Sequence, residues 1–236
     1  MTNRTTRRRD ASIVLPARGR AAQTAALIPR LIMTAGRADW ELIVVVDDDD
    51  EVAAAVRGAN DLLLSRGRMP ATIVILPERR GYWRALAHGA QIAQGRLLGN
   101  IANDILPGWA WLERAIAAYQ RHFPDEDGVL AWNDGILMRE HAGHLLIARR
   151  LLERWYGQAC WPVWYDHLFG DAELCVRAAE QQRYAVALDA VLYHNHPMLG
   201  HESDAGYRAA NAQIIADGQT FERRRGLQWP TAMTSS

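Results

Sequence analysis

The chain has 236 residues, 49% of them apolar and 23% charged, with a formal net charge of zero. That is enough chain for one domain with a sizeable core, and the composition is ordinary for a globular protein. The charge balance gives no global pull toward nucleic acid, and no apolar run approaches the roughly 18 residues needed to cross a bilayer. The first residues are polar and arginine-rich without a signal-peptide-like apolar stretch, and Cys160 and Cys175 form no metal-like or redox-like pair. A reducing, cytoplasmic setting fits both features.

Residues 1–10 read as a flexible basic N-terminus. Ser12-Ile13-Val14-Leu15 follows as a buried strand ending at Pro16-Ala17-Arg18-Gly19-Arg20. A helix is expected over 21–35, with Leu27, Ile28, Leu31 and Ile32 on one face and Pro29 inside it. Glu41-Leu42-Ile43-Val44-Val45-Val46 is a parallel-type strand that runs straight into Asp47-Asp48-Asp49-Asp50-Glu51. Adjacent carboxylates repel one another. The last of these suit the N-terminus of a helix over 52–56, while the first one or two can meet a ligand at the strand end.

A third strand over 72–76 closes at Pro77-Glu78-Arg79-Arg80-Gly81, and a helix over 82–94 leads to a strand containing Leu97 and Leu98. This strand breaks at Asn103-Asp104, shortly before Pro107. Alternating strands and helices predict a doubly wound, mostly parallel sheet whose ligands lie outside the carboxyl ends of the strands. Asp104 stands where such a sheet delivers chemistry. It can hold a divalent cation against a phosphate, or it can cap the next helix.

The second half is less regular. A helix opening at Pro107 carries Trp109, Leu112, Ile116 and Tyr119 at helical spacing, expected as core. A strand over 129–132 ends at the turn Asn133-Asp134-Gly135, and Leu145-Leu146-Ile147 with a helix over 149–156 leads into the aromatic loop 158–171. Its Trp and Tyr residues can stack on sugars or bases, or fill the core. A helix over 171–182, one or two strands over 184–193, the segment His194-Asn195-His196-Pro197 and a last helix over 204–217 precede a polar tail, 223–236, expected to be poorly ordered.

Five segments, SIVLPARGR, VVVDDDDE, GYWRALAHGAQIAQGRLLGNIANDILPGW, HLFGDAEL and YHNHP, follow one another in an order that resembles the GT-A glycosyltransferases, specifically the family 2-like members. The likeness runs over roughly residues 12–207. It implies a GT-A-type (nucleotide-diphospho-sugar transferase) α/β fold: a mostly parallel, Rossmann-like sheet flanked by helices, as one domain over 11–222. Residues 11–107 would be its nucleotide-binding half and 108–222 its acceptor-side half. Pro16 and Arg18 would border the nucleotide, and Asp47, with Asp48 as second choice, would bind the base or ribose.

The same resemblance makes Asp104 a ligand of a Mn²⁺ or Mg²⁺ ion bridging the donor diphosphate, with His194 or His196 as the late ligand. His194 is preferred because it follows the strand directly. The family's Asp-x-Asp is here Ala102-Asn103-Asp104, so the first carboxylate is absent, and the resemblance implies that Asn103 would lie beside the donor. Arg79 or Arg84 could add charge-assisted hydrogen bonds to the diphosphate. Asp171 is the candidate base, with Glu173 as fallback, and Asn133, Asp134, Trp164 and His167 are the acceptor-side candidates.

The implied activity is metal-dependent transfer of a sugar from a nucleoside diphosphate sugar, UDP-linked, to a hydroxyl of a glycan, a small metabolite or a hydroxymethylated DNA base. Inversion is favoured if Asp171 is the base. Two other classes remain: a nucleotide-sugar-binding module without catalysis, and a nucleotidyltransferase. The latter calls for a glycine-rich phosphate loop after the first strand, and Pro16-Ala17-Arg18-Gly19-Arg20 has one glycine.

Overall fold

In the computed structural model, which describes residues 8–136 and 142–231, the apolar runs join one eight-stranded sheet. Strands β1 (Arg9–Ala17), β2 (Trp40–Asp47), β3 (Thr72–Leu76) and β4 (Gly95–Asn100) run parallel. The helices α1 (Ala21–Thr34), α2 (Asp50–Ser65) and α3 (Tyr82–Ile92) carry the chain back between them, as parallel pairing requires. Then come β5 (Ile105–Pro107), α4 (Trp111–His122), β6 (Val129–Asn133), β7 (Leu145–Ala148), α5 (Arg149–Tyr156), α6 (Gly170–Glu180), β8 (Tyr184–His194), α7 (Ala205–Asn211) and α8 (Ile214–Gly226).

The spatial order is β3-β2-β1-β4-β7-β6-β8-β5. The expected parallel arrangement holds for β1 to β4 and for the β6–β8 pair, whereas β7 is antiparallel to both its neighbours and β5 is antiparallel to β8. The sheet is therefore mixed. This brings more of the chain to one edge than a purely parallel sheet would. The C-terminal ends of β1, β2, β3, β4, β6 and β8 lie there, together with the N-terminal ends of β5 and β7. Register then fixes the neighbours. Ile105 pairs with His194, setting Asp104 beside the end of β8, and Asn100 pairs with Leu145, setting His144 beside the end of β4.

Close packing holds that edge in place. Helix α3 lies so near β1 and β2 that a Cβ on Gly89 would collide with Val14. Arg149 donates to the carbonyls of Ala90 and Ala93, which the end of α3 leaves open, and to that of Gly95 at the start of β4. The aromatic loop is fastened from α8: Asp217 accepts from the backbone N–H groups of Asp166, His167 and Leu168 at 2.8–3.0 Å. Beneath it, the fully buried Arg224 and Glu173 form a bidentate pair at 2.6 and 2.7 Å, and the Tyr165 hydroxyl donates to the same carboxylate at 2.6 Å.

Several sequence expectations change. The helix after Pro107 begins at Trp111, so Leu112, Ile116 and Tyr119 are buried, but Trp109 precedes it and is 72% exposed. The last helix is two, α7 and α8, and α8 continues past Arg223 to Gly226. Phe221, Arg224 and Trp229 are buried, so the stretch expected as a loose tail closes the core up to Trp229. Residues 232–236 of that tail, like residues 1–7, lie outside the described residues. Cys160 and Cys175 are both free and buried, and burial pushes their thiols up to about 11 and about 12. Among the described residues no helix is long and apolar enough to cross a membrane.

A buried charge left without its partner is costly. Glu173→Gln should therefore destabilise the fold by about 3–5 kcal/mol in urea unfolding, and adding Arg224→Met should recover part of that loss because no charge is then buried alone. Equal stability of Glu173→Gln and the parent chain would show that the pair does not anchor α8.

Candidate active site

Asp104 lies in the turn between β4 and β5 and is 4% exposed. Its Oδ2 accepts from Arg20 Nη1 at 2.9 Å and from the Tyr207 hydroxyl at 2.7 Å. Its Oδ1 stands 3.2 Å from His194 Nε2, outside hydrogen-bond geometry, and has no hydrogen-bond partner among the described residues. Burial alone would raise the pKa of this carboxyl. His194, Arg20 and Tyr207 outweigh it and hold Asp104 well below the usual carboxylate range. The Tyr207 hydroxyl is raised by burial and then by Asp104, so it remains a donor.

Arg20 is the hub on the other side. It follows the glycine turn with a left-handed φ of 56° and donates from Nε and Nη2 to Asp204 at 2.5 and 2.9 Å. Its Nη1 reaches Asn103 Oδ1 at 3.0 Å as well as Asp104. Asn103 in turn donates to Thr24 Oγ1 and the Gly19 carbonyl, which locks the β4–β5 turn to the start of α1. Asp204 also caps α7 by accepting from Tyr207 N at 3.0 Å. Arg20, Asp104, Asn195, Asp204 and Tyr207 line a cavity of about 280 Å³.

A buried carboxylate oxygen without a partner, facing an imidazole nitrogen, is a donor set suited to a divalent cation. His194 is the histidine set beside Asp104. His196 Nδ1 instead accepts from Met198 N at 3.2 Å, and its ring packs edge-on against Tyr207. A second group, Asp134, His144 and His194, brings one possible ligand atom from each residue within 4.8 Å of the others. His144 is fully buried, and burial pushes its imidazole down to about 3.

The residues expected around the nucleotide are distributed unevenly. Both oxygens of Asp47 are taken up by backbone donors, Arg80 N at 2.7 Å and Gly81 N at 3.0 Å, so this acid holds the β3–α3 loop. Gly81 has a φ of 84°, and a Cβ there would meet the Asp166 carbonyl at 2.8 Å, so the turn needs a glycine. Asp48 is exposed at the strand end with a left-handed φ of 54°. Asp49 caps α2 through Val52 N at 3.0 Å. Arg18 Nη1 donates to the Asp47 and Asp48 carbonyls, each at 2.6 Å, and Pro16 is buried in β1. Arg79 and Arg84 are not beside Asp104: they face Asp166 and line a separate cavity of about 600 Å³ with Arg80, Trp164, Asp217 and Thr220.

On the acceptor side, Asp171 is half-buried in the first turn of α6, where its Oδ1 accepts from Ala172 N. The Tyr82 hydroxyl is raised by burial, and it accepts from Asn100 Nδ2 at 3.2 Å. Glu173 is spent on Arg224 and Tyr165 inside the core, which leaves it unable to reach an acceptor. His167 packs at a tilt against Tyr82, centroids 5.5 Å apart, while the Trp164 ring is covered by the Arg224 guanidinium at 3.6 Å. Asn133 donates to the Leu188 carbonyl, and Asp134 accepts from Ile136 N. The site residues that sequence reasoning missed are Arg20, Tyr207 and Asp204. Arg20 was legible as the last residue of the first strand's loop, but nothing local tied it to the other two.

This edge is that of a nucleotide-sugar transferase fold. The glycosyl transferase family 2 model matches residues 12–173, more than half of the chain, and the chain belongs to that family. Among solved structures it is similar to the mannosyltransferase PcManGT from Pyrobaculum calidifontis in complex with GDP-Man and Mn²⁺, with a TM-score of 0.69 and 20% identity. That match covers 93% of this chain and 65% of the other, so the chain spans less than two thirds of that relative. It is also similar to glucosyl-3-phosphoglycerate synthase from Mycobacterium tuberculosis in complex with Mn²⁺, UDP-Glc and phosphoglyceric acid, with a TM-score of 0.63, 16% identity and coverage of 92% and 80%. No curated protein matches the chain.

The depressed Asp104 carboxyl has a consequence for stability. A carboxyl whose folded pKa lies below its unfolded value of about 3.9 contributes stability above that value and loses it progressively as the pH falls below about 5. Asp104→Asn should therefore flatten the acid limb, by up to about 1.4 kcal/mol per pH unit, in unfolding measured from pH 7 to pH 2.5. Parallel limbs for the two proteins would contradict the ion-paired setting of Asp104.

Proposed function

We propose that the chain is a metal-dependent glycosyltransferase that moves a sugar from a UDP-linked donor to a hydroxyl acceptor. The observation that carries this reading is the unpartnered Asp104 Oδ1, buried opposite His194 Nε2 at the edge where a family 2 sheet presents its chemistry. Asp104 and His194 would hold the Mn²⁺ or Mg²⁺ ion. When bound, such a cation supplies Lewis-acid stabilisation to the charge that develops on a departing diphosphate.

The chain's own groups do the rest. Arg20, already tied to Asn103 and Asp104, would turn its planar fork to the diphosphate and add charge-assisted hydrogen bonds. A cavity of about 280 Å³ is at the small end for a ligand site. Entry of a donor would therefore require Asp204 and Tyr207 to move off Arg20 and Asp104. Asp48, more exposed than Asp47, would meet the ribose or base, and Arg18 would brace the strand end beneath it.

Asp171 would take the proton of the attacking hydroxyl, and with that base on the acceptor side the displacement inverts the anomeric centre. The zero net charge favours a glycan or small-molecule hydroxyl over a polyanion.

Thermal shift against UDP, GDP, TDP and CDP, each with and without Mn²⁺, tests the reading. A donor nucleotide at about 100 times its Kd adds about 2.7 kcal/mol, roughly 5–10 °C in Tm for a chain of this size, and the rise should need Mn²⁺ and vanish in Asp104→Asn. A metal-independent rise would support a binding module instead. Asp171→Asn should keep the Mn²⁺-dependent rise while transfer falls by about 10²–10⁴. Unchanged transfer would remove Asp171 as the base.

A further inference from the structure

Behind the Asp104–His194 contact lies a set of donor atoms that the proposed transfer leaves unused. His144, just before β7, is 1% exposed, and neither of its ring nitrogens has a hydrogen-bond partner among the described residues. His194 Nδ1, the ring nitrogen not directed at Asp104, is likewise buried and unpartnered. Asp134, just beyond β6, is 2% exposed. The three residues sit on neighbouring strands at the same sheet edge, and the backbone fixes them there: Asp134 O accepts from His194 N at 2.9 Å, and His144 O accepts from Trp132 N at 3.2 Å. The two imidazole rings meet edge to face with centroids 4.7 Å apart. A buried polar atom without a partner costs about 1–3 kcal/mol, so three such nitrogens in one place point to a ligand that satisfies them.

We propose that Asp134, His144 and His194 form a second cation site, separate from the donor-side position at Asp104, that takes a borderline transition ion such as Zn²⁺. Two imidazoles and one carboxylate with a fourth position left to water is a zinc-type donor set, whereas Mg²⁺ and Mn²⁺ favour oxygen ligands. With Zn–N bonds of about 2.0–2.1 Å, donors of a tetrahedral shell lie about 3.3–3.5 Å apart. From within 4.8 Å of one another, the donors need to close by little more than about 1 Å.

His194 belongs to both sets, and its tautomer decides between them. A neutral imidazole has one N–H and one lone pair. With the lone pair on Nδ1, the ring binds the ion on the His144 side while Nε2–H donates to the Tyr207 hydroxyl at 3.2 Å, and that hydroxyl in turn donates to Asp104. With the lone pair on Nε2, it serves the donor-side cation instead. Zn²⁺ in the second site therefore competes with the donor's metal and blocks nucleotide-sugar binding. The competition rests on the reading that Asp104 and His194 hold the donor's cation; the zinc site itself does not.

The test uses the full chain stripped of metal. Co²⁺ should give a visible absorption band, displaced by one Zn²⁺ per chain, and His144→Ala and Asp134→Asn should each weaken Zn²⁺ binding at least tenfold with the circular dichroism spectrum preserved. Zn²⁺ should suppress the Mn²⁺-dependent nucleotide shift of the parent chain and spare it in His144→Ala. Zn²⁺ binding unchanged in both variants, or no Zn²⁺ binding by the parent chain, overturns the site. Zn²⁺ bound as expected without any effect on the nucleotide shift overturns the competition. Loss of the donor reading shows separately, as a Mn²⁺-dependent shift that survives Asp104→Asn.

Discussion

The structure turns on a buried carboxylate held between unlike neighbours. Asp104 is nearly inaccessible, ionised because Arg20, Tyr207 and His194 surround it, and yet among the described residues one of its oxygens has no hydrogen bond. An arrangement that merely stabilised the fold would satisfy both oxygens, as Glu173 is satisfied by Arg224 and Tyr165 at the base of α6. The two acids show the difference between an anchor and a site. One is closed on every side, and the other keeps a lone pair facing an imidazole.

The mixed sheet is what makes that possible. Because β5 and β7 run against their neighbours, the start of each strand joins the ends of β4, β6 and β8 at one edge. Asp104 and His194 thus become neighbours although 90 residues separate their numbers, and His144 and Asp134 come with them. Asp204 then serves both sides: it caps α7 and clamps Arg20, and together with the Tyr207 hydroxyl's own bond to Asp104 it holds α7 over the site. Opening the edge to a large donor requires exchanging those contacts for bonds to the donor.

Much of this was legible in the sequence where a signal is local. The apolar runs of β1 to β3, each followed by an amphipathic helix, identify a parallel unit, and Asp104 stands out because it comes where the next run, that of β4, breaks. What depends on distant pairing was not legible. Arg20 and Asp204 are 184 residues apart, and Tyr207 and Asp104 are 103 apart, with no periodicity linking them. Asp171 and Glu173 look alike at a helix start, and it is Arg224, 51 residues away, that draws Glu173 into the core. The stretch from 223 likewise reads as a polar tail until Arg224 is seen inside the core. Asp47 reads as a ligand acid because it ends a strand, but the loop after β3 takes both its oxygens.

The most direct test of the central assignment is a crystal structure of the chain grown with Mn²⁺ and UDP, with anomalous scattering collected at the manganese edge. The account predicts a manganese peak bonded to Asp104 Oδ1 and to a diphosphate oxygen, with Arg20 turned from Asp204 toward the phosphate. A manganese peak and a diphosphate lodged away from Asp104, with the Arg20–Asp104 and Tyr207–Asp104 contacts intact, would contradict it.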